Sequence, residues 1–150
     1  MLVSQEGPTV NRIRVLLVDD SSEFLRHAGA FLMELPAVDL VGWAYLGPEA
    51  LDLVRTMDVD LLVLDVSLPG MSGLEVTRRV KAMEAPPRVV LVTLYDEPAY
   101  RTAAEEAGAD GYVTKKDLVA RLPGLIEELF PRQVGMAAAE AGGAEGPPLD

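Results

Sequence analysis

The stretch Ile13–Ser22 reads IRVLLVDDSS and joins a short apolar run to two acidic and two hydroxyl residues. A run of six nearly all-apolar residues is typical of a strand buried on both faces of a parallel sheet. Asp19-Asp20-Ser21-Ser22 then supplies residues that cap helices, and apolar residues follow at helical spacing from Phe24 to Leu35. The stretch therefore predicts a strand, a turn rich in carboxylates and a helix.

Four further strand-then-helix units follow this first unit. Five such units predict an α/β fold with right-handed crossovers, a flavodoxin-like (βα)5 doubly wound parallel sheet of strand order 2-1-3-4-5. Pro123 lies inside the last helical pattern, so we expect that helix to begin late or to be irregular. The predicted strands are Ile13–Val18, Val38–Ala44, Asp60–Leu64, Arg88–Thr93 and Gly111–Thr114. The helices predicted after the first are Pro48–Met57, Leu74–Met83, Pro98–Ala107 and one that reaches about Phe130.

The domain organisation follows from length and local composition. The 150 residues are enough for one ordinary domain, which we assign to residues 12–131. Residues 1–11 form a leader that lacks the basic-then-apolar layout of a signal peptide. Residues 132–150 read RQVGMAAAEAGGAEGPPLD, an acidic stretch rich in alanine and glycine. Because this stretch has few large apolar residues to bury, we predict a disordered tail, in which a short helix over Val134–Ala141 would be only marginally stable alone.

The composition excludes several classes of function. The absence of cysteine rules out a disulfide scaffold, a thiolate metal site and a cysteine nucleophile. His27 is the one histidine, and we expect it on the polar side of the first helix. Asp and Glu number 24 against 13 Lys and Arg, and the net charge of −11 argues against nucleic acid or an anionic membrane surface as a partner. With no apolar run near the roughly 18 residues of a membrane span, we predict a cytoplasmic protein.

Three carboxylates follow strands that the predicted strand order makes neighbours. Asp19 and Asp20 come after the first strand, and Asp65 comes after the third. In such a fold, ligands bind beyond the carboxyl ends of the strands, where the strand order reverses. Oxygen ligands without histidine or cysteine suit Mg²⁺, which would relieve the mutual repulsion of the acids. Thr93 and Lys115 follow two further strands, and together these groups are suited to a phosphoryl group.

Four stretches of the chain resemble the receiver (CheY-like) domain of bacterial two-component response regulators. They read VLLVDDSSEF, LLVLDVSLPGMSGLE, VVLVTLYD and GADGYVTKKDL, in the order and spacing of that family. The resemblance covers about residues 12 to 130. The residues of these stretches are most similar to those of receivers that precede a DNA-binding helix-turn-helix domain. We nevertheless expect no DNA-binding domain within this chain.

The resemblance implies a phosphoacceptor and a metal site. Asp65 would accept a phosphoryl group from the phosphohistidine of a sensor histidine kinase or phosphotransfer protein, or from a small phosphodonor. Asp20 and Asp65 would bind Mg²⁺ directly and Asp19 through water, with the backbone carbonyl of Ser67 as a further ligand. Mn²⁺ is expected to substitute for Mg²⁺. The protein would thus be a signalling domain that catalyses its own phosphorylation and dephosphorylation, and not an enzyme acting on other molecules.

The resemblance also implies which residues transmit phosphorylation of Asp65 to the protein surface. Thr93 and Lys115 would each bind a phosphoryl oxygen, and Tyr112 would move inward with Thr93 as a switch. Pro69 and Gly73 match the loop that shapes the pocket. The output surface would be the fourth helix, fifth strand and fifth helix, which could also form a homodimer.

Two positions depart from the family pattern. Leu94 stands where a small residue is usual, and with Tyr95 we expect it to form an access gate that narrows the approach of water and small phosphodonors to Asp65. Lys116 stands where proline is common, and a cis Lys115–Lys116 peptide would cost roughly 3–4 kcal/mol. The geometry of that peptide is left open.

Three other functions are compatible with parts of this pattern. An aspartate-nucleophile phosphohydrolase needs an acid two residues after the nucleophile, where Ser67 stands. A flavin-binding protein of the same topology needs a phosphate-binding loop where Asp19 and Asp20 stand. A phosphorylation-independent interaction module on the same fold usually lacks one of the acids, the hydroxyl residue or the lysine. The receiver interpretation is favoured, and the interaction module remains its alternative.

Overall fold

The computed structural model describes residues 11–145, and it contains one five-stranded parallel sheet of order 2-1-3-4-5. The predicted fold class is therefore confirmed. The strands are β1 (Ile13–Val18), β2 (Val38–Ala44), β3 (Leu61–Asp65), β4 (Arg88–Thr93) and β5 (Gly111–Thr114). The helices are α1 (Ser22–Met33), α2 (Gly47–Thr56), α3 (Gly73–Lys81), α4 (Pro98–Ala107), α5 (Leu118–Leu129) and α6 (Pro131–Glu145).

The sheet is covered on both faces, which explains the continuous apolar runs of its strands. In β1, Val15 and Leu17 face a cluster built with α1 and α5, whereas Leu16 and Val18 face a second cluster built with α2, α3 and α4. All five residues of β3 are buried. Because alternate side chains of a strand point to opposite faces, such a strand must be apolar at every position. Asp65 at the end of β3 is the exception.

Side-chain caps set the starts of the two helices that follow the acidic strand ends. The Ser21 hydroxyl accepts a hydrogen bond from the Phe24 amide at 3.2 Å and begins α1. The Ser72 hydroxyl accepts one from the Glu75 amide at 3.2 Å and begins α3. These contacts satisfy amides that have no partner within a first helical turn. They hold the loops after β1 and β3 in position at the edge of the sheet.

Helix α5 differs from its predicted form at Pro123. The helix begins at Leu118 and runs through Pro123 to Leu129, so it does not begin late. The proline nitrogen cannot donate to the carbonyl four residues earlier, which weakens a helix interior. Burial of Leu118, Leu122 and Ile126 on one face offsets this loss and keeps the helix continuous.

The prediction of a disordered tail over residues 132–150 is wrong for most of that segment. Residues Pro131–Glu145 form α6, and residues 146–150 lie outside the described part. Ala137 is buried, and Val134 packs against the cluster formed by β1, α1 and α5. This contact supplies the burial that the composition of the segment did not indicate. Of the predicted leader, residues 1–10 also lie outside the described part. None of the helices within residues 11–145 has the length and apolar character needed to cross a membrane.

Candidate functional site

The three predicted carboxylates converge at the carboxyl edge of the sheet. Strands β1 and β3 are paired so that Val18 lies opposite Leu64, and Asp19 and Asp65 therefore leave the sheet side by side. Each of Asp19, Asp20 and Asp65 offers an oxygen within 4.8 Å of those of the other two. Asp19 is fully buried and Asp65 is 5% exposed, whereas Asp20 is exposed. The strand order thus brings Asp65 together with Asp19 and Asp20, which precede it by 46 and 45 residues in the chain.

Backbone amides orient the two buried carboxylates in the same way. The Ser21 amide donates a hydrogen bond to Asp19 Oδ1 at 2.8 Å, and the Ser67 amide donates one to Asp65 Oδ1 at 2.9 Å. Both contacts join an aspartate to the amide two residues later, a local turn that aspartate favours. The Oδ2 atom of each acid is therefore left to face the rest of the site.

Lys115 provides the positive charge of the site. Its Nζ lies 2.8 Å from Asp19 Oδ2 and 3.3 Å from Asp65 Oδ2, and it lies 4.5 Å from the centre of the Phe24 ring. Burial alone would lower the pKa of Lys115, but Asp19 and Asp65 outweigh that effect and raise the pKa above its usual value. The lysine is consequently a permanent cation beside Asp65. Within the described residues no peptide is cis, so the Lys115–Lys116 peptide is trans.

Asp65 lies in surroundings that disfavour the ionised form of its carboxyl group. Burial, together with the neighbouring Asp19, raises the pKa of Asp65 from 3.8 to about 6, although the Ser67 amide and Lys115 act in the opposite direction. A raised carboxyl pKa inside a cleft is typical of functional sites. At neutral pH the group is mainly ionised and is therefore a potential nucleophile or metal ligand.

The acidic cluster is consistent with a Mg²⁺ site. Its donors are carboxylate oxygens, the ligands that Mg²⁺ prefers. Asp19 Oδ2 is buried and accepts no hydrogen bond of regular geometry within the described residues, despite its ion pair with Lys115. One cationic side chain against three acids leaves negative charge that a divalent ion would balance. The residues present therefore fit the metal that the sequence predicted.

Thr93 and Tyr112 lie on the neighbouring strands β4 and β5, Thr93 at the end of β4 and Tyr112 opposite Leu91. Thr93 is buried, and its hydroxyl donates a hydrogen bond to the Tyr95 carbonyl at 3.2 Å. Tyr112 is 8% exposed, and the Arg101 guanidinium lies 4.8 Å from its ring centre. Burial raises the pKa of the Tyr112 phenol, and its hydroxyl makes no regular hydrogen bond within residues 11–145. The aromatic ring is therefore turned inward while the threonine is bonded to the loop after β4.

Gly73 sits against the backbone of the candidate nucleophile. Its amide donates to the Val66 carbonyl at 2.8 Å, and its carbonyl accepts from the Thr77 hydroxyl at 2.8 Å. A Cβ atom at this position would overlap the carbonyl oxygen of Asp65. Only glycine allows α3 to begin so close to Asp65, which gives a physical reason for the glycine that the sequence analysis singled out.

A cleft of about 530 Å³ opens beside the acidic cluster. Its lining includes Asp20, Ser67, Leu68, Pro69, Leu74 and Tyr100. The two residues predicted as an access gate, Leu94 and Tyr95, are 63% and 67% exposed and are not among the lining residues of this cleft. The gate therefore stays a prediction that the structure leaves untested.

Sequence reasoning missed three side chains near the site. Phe24 contacts Lys115, Arg101 covers Tyr112, and Tyr100 lines the cleft. Phe24 follows Asp20 by four residues, and a helical spacing argument could have placed it near the acids. Arg101 and Tyr100 lie on α4, and nothing local in their sequence indicates which strand or loop they face.

The sheet order and the acidic cluster define an α/β domain whose clustered acids lie between β1 and β3, the position at which folds of this strand order bind ligands. Residues 15–127 match the family described as the response regulator receiver domain, and the chain belongs to that family. It is thus a signalling domain of two-component systems, in which receiver domains interact with kinases, and not a classical enzyme.

Named relatives agree with this membership. The response regulator GacA of Pseudomonas aeruginosa is 33% identical over 121 residues, which cover 81% of this chain and 56% of GacA. The response regulator UvrY of Escherichia coli is 34% identical over 121 residues, which cover 81% of this chain and 56% of UvrY. The structure of the receiver domain of NarL from Mycobacterium tuberculosis superposes with a TM-score of 0.72 at 31% identity, covering 83% of this chain and 98% of that one. The chain thus spans little more than half the length of GacA and UvrY.

Proposed function

We propose that this domain accepts a phosphoryl group on Asp65 from a phosphohistidine of a sensor kinase or phosphotransfer protein. The observation that carries the proposal is the contact of buried Asp65 with both Asp19 and Lys115 at the carboxyl edge of the sheet. A nucleophilic carboxylate, an acidic metal site and a fixed cation around one point are what phosphoryl transfer requires. A cytoplasmic location stays a prediction.

The reaction uses the groups that surround Asp65. One of its carboxylate oxygens forms a bond to phosphorus as the bond to the donor breaks, and the leaving group keeps that electron pair. The Nζ of Lys115, 3.3 Å from Asp65 Oδ2, then pairs with a phosphoryl oxygen. Asp19, Asp20, Asp65 and the Ser67 carbonyl would hold Mg²⁺, which when bound neutralises charge on the acids and the phosphoryl group. The same groups support later hydrolysis of the acyl phosphate by water.

The proposed conformational switch begins with the hydrogen bond that the Thr93 hydroxyl makes in this structure. Its hydroxyl donates to the Tyr95 carbonyl, so donation to a phosphoryl oxygen requires that bond to break. The loop between β4 and α4 then loses one of its attachments, and Arg101 and Tyr112 can repack. A local charge event would thereby change the α4–β5–α5 surface, the proposed face for a target or a second copy of the chain.

Intact-mass measurement tests the acceptor. Treatment with acetyl phosphate and Mg²⁺ is expected to add about 80 Da, the mass of one phosphoryl group. The gain should disappear without divalent metal and in Asp65→Asn. The exposed Asp52→Asn on α2 is the matched control and should retain it. An unchanged gain in Asp65→Asn would refute the assignment, and no gain in the unaltered protein would favour a phosphorylation-independent interaction module.

Amide hydrogen exchange tests the output surface. Adding beryllofluoride with Mg²⁺ should change protection in residues 94–130, which include the β4–α4 loop, α4, β5 and α5. Tyr112→Ala is expected to reduce this response, because its ring joins the site to Arg101. Changes restricted to α1 and α2 would contradict the proposed switch.

We also propose that Leu94 and Tyr95 slow hydrolysis of the phosphorylated form. Both lie next to Thr93, and Ser67 is too short to position an attacking water. Phosphorylated Leu94→Ala and Tyr95→Ala should lose phosphate a few-fold faster, equivalent to about 1 kcal/mol in the barrier. Decay after removal of the donor measures this. If both variants decay at the unaltered rate, the gate lies elsewhere.

A further inference from the structure

The cleft beside the acidic cluster has one aromatic ring among its lining residues, that of Tyr100. Tyr100 is the third residue of α4, and its side chain is 36% exposed. The β3–α3 loop residues Ser67, Leu68 and Pro69 and the acidic Asp20 also line this cleft. The ring therefore shares a cleft with Asp20, one of the three clustered acids, and with Ser67, the second residue after Asp65.

The position of this cleft matters because of the direction of phosphoryl transfer. The attacking and leaving atoms stand roughly in line on opposite sides of phosphorus. A phosphoryl group approaching Asp65 would therefore point its leaving group away from the Asp65 carboxylate. The cleft is where that leaving group can be accommodated, so its walls are able to distinguish one phosphodonor from another.

The walls favour an aromatic leaving group over a small anionic one. Tyr100 offers a ring face, and Leu68, Pro69 and Leu74 add apolar surface. An imidazole ring gains from offset stacking on such a face, and more so when protonated. No lysine or arginine is among the cleft-lining residues, so an acetate leaving group finds no cation there.

We propose that Tyr100 is a specificity-determining residue that contacts the imidazole leaving group of a phosphohistidine-type donor. This inference rests on the proposed function of Asp65. In the step concerned, the Asp65 oxygen bonds to phosphorus as the N–P bond breaks. The imidazole keeps that electron pair and, when protonated on its other nitrogen, leaves as a neutral ring. With acetyl phosphate the O–P bond breaks instead, and acetate leaves.

The test compares two small donors on the full chain with Mg²⁺ present. Initial rates of Asp65 phosphorylation are measured against the concentration of monophosphoimidazole and of acetyl phosphate. The variants are Tyr100→Ala, Tyr100→Phe and the control Tyr45→Ala, whose ring lines a separate groove between α1 and β2. Beryllofluoride affinity is measured by NMR titration, because this mimic of the phosphoryl group has no leaving group.

Tyr100→Ala is expected to lower the ratio of the two rate constants, imidazole donor over acetyl donor, by about three- to tenfold. The loss should arise from a higher half-saturating concentration of monophosphoimidazole. Tyr100→Phe should retain the ratio, and beryllofluoride affinity should not change in either variant.

Three results would overturn the inference while leaving the proposed function intact. The first is an unchanged ratio of rate constants in Tyr100→Ala. The second is an equal loss of phosphorylation rate with both donors, together with weaker beryllofluoride binding. The third is an equal loss of the ratio in Tyr100→Phe and Tyr100→Ala. Failure of both donors to modify Asp65 in the unaltered protein would overturn the proposed function and this inference together.

Discussion

Asp65 illustrates how a functional residue opposes stability. Its carboxylate is almost fully buried beside the buried acid Asp19, and its pKa is raised from 3.8 to about 6. Between these two values the folded state binds more protons than the unfolded state, so stability falls as pH rises through about 6. The charge that the reaction requires at neutral pH therefore weakens the fold, a conflict that is common at active sites.

Replacing this charge should stabilise the protein. In the absence of divalent metal at pH 7.5, Asp65→Asn is expected to raise the free energy of unfolding by about 1–3 kcal/mol. The gain should shrink as pH falls from about 6 to about 4 and vanish near pH 3, where the unaltered Asp65 is protonated in both states. Denaturant unfolding over this pH range measures the effect, with Asp52→Asn as the exposed control. A variant that is less stable at pH 7.5 would contradict this account.

Gly73 gives a second prediction for a single residue. Because a Cβ atom there would overlap the Asp65 carbonyl, Gly73→Ala should reduce the free energy of unfolding by about 2–4 kcal/mol and slow phosphorylation of Asp65. Gly135→Ala is the matched control, since a Cβ atom there meets nothing within 4 Å. Thermal unfolding and intact-mass kinetics measure the two effects. Equal stability of the two variants would show that α3 can shift away from β3.

At the scale of elements, two glycines show that the effect of this residue type depends on whether it ends a helix or lies inside one. Gly108 ends α4 with φ of 95°, a left-handed conformation suited to glycine, and Lys81 Cγ lies 3.3 Å from where a Cβ would be. Gly124 follows Pro123 inside α5, where glycine has no such function and a Cβ would meet nothing within 4 Å. The same residue type is thus required in one helix and unfavourable in the other.

Alanine substitutions at these two glycines should change the free energy of unfolding in opposite directions. Gly124→Ala is expected to stabilise the protein by about 0.5–1 kcal/mol through its higher helix propensity. Gly108→Ala should destabilise it by about 1 kcal/mol or more, because its backbone conformation is strained for alanine. Chemical denaturation compares them. Destabilisation by Gly124→Ala would indicate that α5 needs flexibility after Pro123.

At the scale of the whole molecule, α6 extends the domain beyond the five repeated units. It packs through Val134 and buried Ala137 on the cluster that contains α1 and α5. The neighbouring Ala138 is exposed. The last helix is therefore attached to the core by one narrow face, which makes its docking directly testable.

Ala137→Asp and Ala138→Asp change charge and helix propensity equally, yet only the first places a carboxylate against the core. We expect Ala137→Asp to lower the free energy of unfolding by about 1–3 kcal/mol. Ala138→Asp should remain within about 0.5 kcal/mol of the unaltered protein. Urea unfolding followed by circular dichroism distinguishes them. Equal effects would mean that α6 does not dock in solution.

The sequence by itself determined the sheet and the acidic cluster of this protein. Apolar runs separated by helical patterns specify parallel strands covered on both faces, and the strand order places Asp65 beside Asp19 and Asp20. The apolar and helical periodicities are readable along the chain, and the strand order follows from the flavodoxin-like fold class that five strand-then-helix units indicate. The bounds of β1, β2, β4 and β5 were predicted for the same reason.

The tertiary structure alone decided which side chains surround that cluster. The contact of Phe24 with Lys115, the placement of Tyr100 in the cleft and the docking of α6 join residues far apart in the chain. Such contacts depend on how helices pack on the sheet, and the local pattern of each helix specifies only its apolar face. The tail was predicted to be disordered because its own composition could not show the core surface against which it packs.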